Sequence, residues 1–314
     1  MTHYQGFAGT YTGHGSRGVY SFRFENGILS DPRLFCEIDS PKYLALENGR
    51  MAALADFEQG SGAVLLDAEG KVLSRLAYEN KTSCYLAWHG GDLYSANYHE
   101  GTISRLKIQD GKLELQKKVL IKDGAGCHMV LFWKDEILVP CLFLDEIRIF
   151  DPDLNPAGSI SMPAGSGPRH GVFSADGTWL YLVSELSNEL FVIRMADHAV
   201  LASIPVLADG RTHVKDTAAV RLSRDGRRLY VSTRTQDVLS VINIEDPLHP
   251  SLLQCVSSGG QHPRDFSLQD RWLIAANRFS NSIVSFALED GLIGPETSCI
   301  EIPEAVALVM EEEQ

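Results

Sequence analysis

The feature of this sequence that most restricts its fold is an internal repeat of roughly 40–50 residues. A hydrophobic strand, a short polar loop and a second alternating strand recur along the chain, most clearly in WLYLVSELSNELFVI at 179–193. The last apolar residue of each copy serves as a marker, and the markers are Phe22, Leu66, Leu106, Phe150, Ile193, Ile242 and Phe286. Adjacent markers lie 40 to 49 residues apart, a spacing typical of β-propellers. Seven markers predict seven blades.

Each repeat has room for four strands, and the fifth copy displays them best. We predict strands at 169–174, 179–185, 189–195 and 200–206, with the turn ADGT at 175–178 joining the first two. The Asp-Gly pair favours a tight hairpin because glycine accepts positive φ. The residues alternate with the period of two expected for β-sheet, and no long helical window competes with it.

The first copy lacks its own opening strand, because the chain starts directly in GFAGTYT. The segment IPEAVALVMEE at 302–312 resembles the strands that open other blades. We therefore predict an all-β, seven-bladed β-propeller, a single domain of residues 1–314 whose first blade is closed by the C-terminal strand. Closure removes the last open sheet edge, so we expect truncation at either end to destabilise the whole ring.

Net charge and composition limit the classes of partner that this chain could bind. The formal net charge of −13 argues against nucleic acid or an anionic membrane, both of which require a basic face. A small anionic ligand would need a local cluster of arginines. The N-terminus carries no signal-peptide pattern, no apolar run approaches membrane length, and no two of the six cysteines have CxxC spacing. These observations predict reduced thiols and a cytoplasmic protein, and they predict no particular oligomeric state.

Propeller geometry predicts which residues share a face. The first two strands of a blade are antiparallel, so the start of the first and the end of the second lie at the same mouth of the central channel. The starts of first strands contribute His128, Arg169, His170, His213, Lys215, His262 and Arg264. The ends of second strands contribute Asp56, Asn97, Glu185, Arg234 and Arg278. In contrast, Trp179 and Trp272 begin second strands and are predicted to pack between blades.

The predicted ring of arginines, histidines and one glutamate suits an anionic carbonyl substrate. Arginine binds carboxylate or phosphate through a bidentate fork and stabilises a developing oxyanion. Glutamate or histidine accepts a proton from water when its surroundings adjust its pKa. Cys127 precedes His128, but neighbours on a strand point to opposite faces, so we expect no thiol nucleophile there.

At these residues the sequence resembles the seven-bladed propeller lactonases, a family that includes a bacterial 6-phosphogluconolactonase and fungal carboxy-cis,cis-muconate cyclases. The resemblance extends over essentially the whole chain, through GTYT at 9, SPKYLAL at 40, ANYHEGTIS at 96, GPRHGVFSADG at 167, AAVRLSRDGRRLYVSTR at 218 and GGQHPRDFSL at 259. The most specific combination is GPRH followed by the strand end SEL. The resemblance to this family implies a metal-independent enzyme without a cofactor, whose catalytic residues match His128, Arg169, Glu185 and Arg234. Four other residues of the ring are predicted to bind substrate: Asn97, His170, Arg264 and Arg278.

Three motifs depart from the family pattern. Cys141, Leu142 and Phe143 stand where the family usually has DLG, Thr233 replaces the asparagine of SNR, and Ala55-Asp56 replaces NE. The predicted function is hydrolysis of an anionic sugar lactone such as 6-phosphogluconolactone, with Glu185 or His128 activating water. The alternatives are a lactone-forming cyclase, a metal-dependent lactonase that uses Asp56, Asn97 and Glu185, and a non-catalytic binding scaffold.

Overall fold

Seven antiparallel sheets of four strands each make up the ring in a computed structural model that describes residues 3–208 and 214–313. Blade 1 contains β1 (His3–Thr10), β2 (Gly18–Glu25) and β3 (Ile28–Glu37), joined by the last strand of the chain, β28 (Ala305–Glu312). Blade 2 contains β4 (Leu44–Glu47), β5 (Arg50–Asp56), β6 (Ser61–Leu66) and β7 (Val72–Glu79). Blade 3 contains β8 (Tyr85–His89), β9 (Asp92–Asn97), β10 (Thr102–Gln109) and β11 (Lys112–Leu120).

The remaining four blades repeat the arrangement. Blade 4 contains β12 (Leu131–Trp133), β13 (Glu136–Cys141), a 3₁₀ turn (Leu142–Leu144), β14 (Glu146–Phe150) and β15 (Pro156–Ser161). Blade 5 contains β16 (Pro168–Phe173), β17 (Trp179–Ser184), β18 (Glu189–Arg194) and β19 (Ala199–Pro205). Blade 6 contains β20 (Thr217–Leu222), β21 (Arg228–Thr233), β22 (Val238–Asn243) and β23 (Ser251–Ser257). Blade 7 contains β24 (Pro263–Gln269), β25 (Trp272–Asn277), β26 (Ser282–Glu289) and β27 (Leu292–Glu301).

The predicted closure of the ring is confirmed. Strand β28 pairs with β1 in antiparallel register, from Tyr4 opposite Glu312 to Gly9 opposite Ala307. The N-terminal and C-terminal segments therefore build one sheet, with β28 nearest the channel. The seven sequence markers all lie on the third strand of their blades, so the repeat read from the sequence is the repeat of the fold.

The hydrophobic core lies between blades rather than at the centre of the ring. Seven clusters of buried apolar side chains each join one blade to the next. The cluster between blades 7 and 1 includes Phe24, Ile274 and Leu308, and Trp272 meets Phe24 edge-on with ring centroids 6.1 Å apart. Trp179 packs against the apolar cluster between blades 5 and 6. Both tryptophans are packing residues, as predicted.

The central channel is blocked in the middle and opens into a cavity at each end. One cavity, of about 230 Å³, lies where first strands start and second strands end, and we call it the upper cavity. The other, of about 340 Å³, lies further along the first strands, and we call it the lower cavity. Between them Tyr43, Cys84, His128, Arg169 and His170 help to enclose a void of only about 10 Å³. Among the described residues no helix is long and apolar enough to cross a membrane.

Candidate functional site

The upper cavity is strongly basic in an acidic protein. Its walls are formed by Tyr11, Lys42, Cys84, Tyr98, His99, His128, Glu185, Arg234, His262, Arg264 and Arg278. Four of these side chains are cationic and one is a carboxylate, whereas the whole chain carries a net charge of −13. A cavity of this size and charge fits a small anionic ligand of about the size of a sugar.

One position of the repeat supplies five of the eleven described residues of this wall. The residue directly after the second strand is Tyr11 in blade 1, Tyr98 in blade 3, Glu185 in blade 5, Arg234 in blade 6 and Arg278 in blade 7. All five side chains reach the cavity because each stands where the chain leaves the sheet at the channel mouth. The repeat thus presents different chemistry at one fixed position, in the way that loops on a rigid scaffold carry function.

Two arginines, the buried Arg169 and the partly buried Arg264, owe their direction to irregularities in the first strands. The register between β16 and β17 shifts between Pro168 and His170, which leaves Arg169 as the extra residue, and Arg264 occupies the same place between Pro263 and Asp265. A β-bulge redirects side chains and breaks strict alternation. This is why the consecutive residues Arg169 and His170 both border the void in the channel.

Glu185 is held between two guanidinium groups. Its Oε2 accepts a hydrogen bond of 2.7 Å from Nε of Arg169, and its Oε1 lies 2.9 Å from an Nη of Arg234. Burial alone would raise the pKa of Glu185, but the charges of Arg169 and Arg234 outweigh it and lower the pKa below its usual range. Burial also lowers the pKa of Arg169 to about 10, and only 1% of that residue is exposed. The carboxylate is therefore ionised at neutral pH.

His128 approaches the same carboxylate from blade 4. Its Nε2 lies 4.0 Å from Oε2 of Glu185, and its Nδ1 lies 3.2 Å from Nε2 of His170. Burial, followed by the positive charge of Arg169, lowers the pKa of His128 well below its usual value. The imidazole is therefore neutral at neutral pH. Since His170 is buried as well, the two rings form a histidine pair in which His128 lines the cavity and His170 lies beneath it.

The opposite wall is organised around Tyr11. Arg264 donates a hydrogen bond to the Tyr11 hydroxyl, and the guanidinium carbon of Arg278 lies 4.0 Å from the centre of the Tyr11 ring. Arg278 is in turn fixed by Glu304, at 3.0 Å, just before the closing strand β28. Sequence reasoning missed Tyr11, Lys42 and Tyr98, although aligning all seven strand ends would have identified both tyrosines.

The structure brings seven of the eight predicted site residues together at the upper cavity or directly beneath it. His128, Glu185, Arg234, Arg264 and Arg278 line the upper cavity, while Arg169 and His170 lie directly beneath it.

Asn97 does not reach the cavity. It is fully buried, donates to the carbonyl of Lys81 and accepts the N–H groups of His99 and Glu100, so its amide caps a turn. Asn97 is the last residue of β9, one position before the repeat position that lines the cavity, and Tyr98 occupies that position. Lys215 is exposed and does not line the cavity, and His213 lies outside the described residues.

The residues of the metal-dependent alternative do not form a common ligand set. Asp56 lines a different cavity and accepts a hydrogen bond from Ser61, and Asn97 is committed to its turn. Glu185 faces two arginines, which repel a cation. In the described ranges 3–208 and 214–313, no group of three or more His, Cys, Asp or Glu residues could hold a metal ion.

The buried thiols offer no nucleophile of high reactivity. Cys127 points away from His128 toward Cys141, with the two sulfurs 3.8 Å apart, and this contact together with burial raises its pKa well above the usual value. Cys84 does line the upper cavity, yet burial raises its pKa to about 11. A protonated thiol is a poor nucleophile. The reactive groups among the described residues of the cavity are thus three arginines, one lysine, neutral histidines, one carboxylate and two phenols.

Comparison with known proteins agrees with the propeller fold. The family described as "Lactonase, 7-bladed beta-propeller" matches residues 5–310. The 6-phosphogluconolactonase of Bacillus subtilis (strain 168) is 27% identical over 346 aligned positions, which cover 98% of each chain. A solved structure from Lactobacillus plantarum has a TM-score of 0.91 at 27% identity and covers 99% of this chain and 100% of that one. The periplasmic gluconolactonase of Pseudomonas aeruginosa has a TM-score of 0.87 at 22% identity, covering 98% and 99%, a likeness of fold.

Proposed function

This chain belongs to the seven-bladed β-propeller lactonase family, and from that premise we propose that it hydrolyses an anionic sugar lactone, of the 6-phosphogluconolactone kind, without a metal ion. The observation that carries the proposal is the upper cavity itself. It places four cationic side chains, a carboxylate held by two guanidiniums and a neutral histidine around a space of about 230 Å³.

The cationic side chains would bind the substrate's anion and the carbonyl. Lys42, Arg264 and Arg278 surround Tyr11 on one side, and Arg234 stands beside Glu185 on the other. Guanidinium groups in a site with little water stabilise the oxyanion that forms when water adds to the lactone carbonyl. Arg169 is too deeply buried to touch substrate, and its part is to hold Glu185 in place and ionised.

We assign water activation to His128, with Glu185 stabilising the imidazolium that forms. The neutral ring can accept a proton, and the carboxylate lies 4.0 Å from its Nε2. In the free protein the charges of Arg169 and Arg264 oppose that protonation. An anionic substrate bound among the guanidiniums offsets their charge and raises the pKa of His128. The proposal thus links the substrate's charge to the strength of the base, and it predicts that a neutral lactone reacts more slowly.

The test is hydrolysis by the purified protein, measured as acid release above the spontaneous rate. We expect 6-phosphogluconolactone to be opened faster than glucono-δ-lactone, with no loss after treatment with a chelator. His128→Gln should lower kcat by about 10²- to 10⁴-fold. The matched control is Glu136→Gln, which alters a carboxylate paired with His198 away from the cavity and should change little.

Two results would contradict the proposal. A wild-type rate no faster than spontaneous hydrolysis across a panel of lactones would favour a binding scaffold. Stoichiometric calcium in the active protein, with activity lost on its removal, would overturn the metal-free mechanism. A cytoplasmic location stays a prediction, since one of the similar structures is a periplasmic protein.

A further inference from the structure

Tyr11 stands across the cavity from the groups assigned to water activation. It belongs to blade 1, whereas His128 and Glu185 come from blades 4 and 5. In a ring of seven, blades 4 and 5 are the two that face blade 1. A lactone carbonyl bound between these walls therefore has a base on one side and a phenol on the other. Ester cleavage needs such a pair, because the attacking oxygen loses a proton and the departing oxygen gains one.

The hydrogen bonding of Tyr11 directs its proton into the cavity. Arg264 donates to the phenol oxygen, and a guanidinium can only donate. The proton of the Tyr11 hydroxyl must therefore point elsewhere, and in the described part of the chain no residue accepts it. The ring itself is held between Arg264 and Arg278, at 5.2 and 4.0 Å from the guanidinium carbons. This leaves an oriented O–H group available to a ligand.

The charges around Tyr11 favour release of that proton. The Lys42 ammonium lies 5.9 Å from the ring centre, and His262, whose pKa is lowered to about 4, adds no charge at neutral pH. The carboxylate of Glu304, the partner of Arg278, is offset by that guanidinium and accepts the backbone N–H of His14. Burial alone would raise the pKa of Tyr11, but the positive charges of Arg264, Lys42 and Arg278 lower it overall. By contrast, burial and the charge of Glu185 raise the pKa of Tyr98, the other phenol of the cavity.

We propose that Tyr11 is a further catalytic residue, the acid that protonates the ring oxygen of the lactone as it departs. The inference rests on the proposed function. Water adds to the carbonyl carbon and gives a proton to His128. As the tetrahedral intermediate collapses, the bond from that carbon to the ring oxygen breaks, and its electron pair takes the proton of Tyr11. The phenolate, stabilised by Arg264 and Arg278, then recovers a proton through solvent from His128. The products are a carboxylate, a hydroxyl group and one released proton.

The experiment compares Tyr11→Phe with Tyr98→Phe, the same chemical change on two walls of one cavity. Tyr11→Phe keeps the aromatic ring against Arg278, so we expect KM to stay within a few-fold while kcat falls on the order of 10²-fold. In the wild type, kcat should decline at alkaline pH as Tyr11 loses its proton. That decline should be absent from Tyr11→Phe and retained in Tyr98→Phe. An unchanged kcat, or an alkaline decline identical to that of the wild type, would refute the role.

Absorbance titration of tyrosinate separates this inference from the proposed function because it needs no substrate. The earliest tyrosine to ionise in the wild type should be missing from Tyr11→Phe and present in Tyr98→Phe. If the wild type hydrolyses lactones and neither readout changes in Tyr11→Phe, the function stands and the role of Tyr11 fails. If the wild type hydrolyses no lactone, the proposed function fails and the role fails with it.

Discussion

The two cavities of the channel each contain a carboxylate paired with arginine, yet the two pairs serve different purposes. In the lower cavity the carboxylate of Asp265 accepts hydrogen bonds from the guanidinium of Arg221, at 2.6 Å, and from the backbone N–H of Leu308, at 3.0 Å. The two charges balance, and the contacts link blades 6, 7 and 1. In the upper cavity Glu185 is the one carboxylate among the described lining residues and faces four cationic side chains. A balanced pair secures the ring, whereas the unbalanced cluster retains positive charge for a ligand.

The sharpest test of this contrast removes one carboxylate charge from each cavity. Glu185→Gln leaves the buried Arg169 without its charged partner and should lower the free energy of unfolding by about 3 kcal/mol. Asp265→Asn does the same to Arg221, whose side chain is 29% exposed, and should lower it by less. Only Glu185→Gln should also lower kcat/KM per folded molecule, by about 10²- to 10³-fold. Thermal unfolding and steady-state kinetics on the same preparations measure the two effects.

The comparison would break if the two variants behaved alike in kinetics. A loss of turnover in Asp265→Asn as large as that in Glu185→Gln would mean that the lower pair takes part in catalysis. Full activity in Glu185→Gln would show that the upper cluster is structural as well.

A second prediction concerns the surplus positive charge of the upper cavity. Arg264→Met should raise KM for a phosphorylated lactone about 10- to 100-fold, since a hydrogen bond to a charged group contributes about 1.5–3 kcal/mol. The increase should be much smaller for a neutral lactone. The control is Arg224, whose side chain is 91% exposed on the lower face. Arg224→Met should leave KM unchanged for both the phosphorylated and the neutral lactone. Equal increases for both substrates would indicate a packing defect rather than a lost charge.

The smallest expected effect is a pH dependence of stability. Burial lowers the pKa of His262 to about 4 in the folded protein, against about 6.5 when unfolded. Above pH 6.5 both states are neutral and the group contributes no pH dependence. As the pH falls from about 6.5 to about 4, the unfolded state binds a proton that the folded state does not, and stability decreases.

His262→Asn should therefore remove part of the stability loss between pH 7 and pH 5, about 1 kcal/mol once solvent screening is allowed for. Denaturant unfolding at the two pH values measures it. The exposed His249 provides the control, and His249→Asn should leave the difference as it is in the wild type. If the free energy of unfolding falls equally between pH 7 and pH 5 in His262→Asn and in the wild type, the loss belongs to other groups, such as the buried His128 and His170.

Much of the fold followed from the sequence, and the site followed in part. The marker spacing predicted seven blades, and residues 302–312 predicted the closing strand, both confirmed. Strand-end logic predicted the mouth at which Glu185, Arg234 and Arg278 meet. It chose Asn97 rather than Tyr98 because the end of a strand cannot be located to one residue from its pattern, and a shift of one residue changes which side chain faces the channel.

The sequence by itself determined the number of blades, their order and the face that carries the polar ends, because a repeat of fixed period imposes one geometry on every copy. Only the tertiary structure decided which side chains lie opposite each other across the cavity and which ionisable groups carry a charge at neutral pH. The bulges that redirect Arg169 and Arg264, the contact of Arg278 with Tyr11, and the shifted pKa values of Glu185 and His128 all depend on charges and burial supplied by distant segments. Such effects fall off with distance in space, and the linear sequence does not contain that distance.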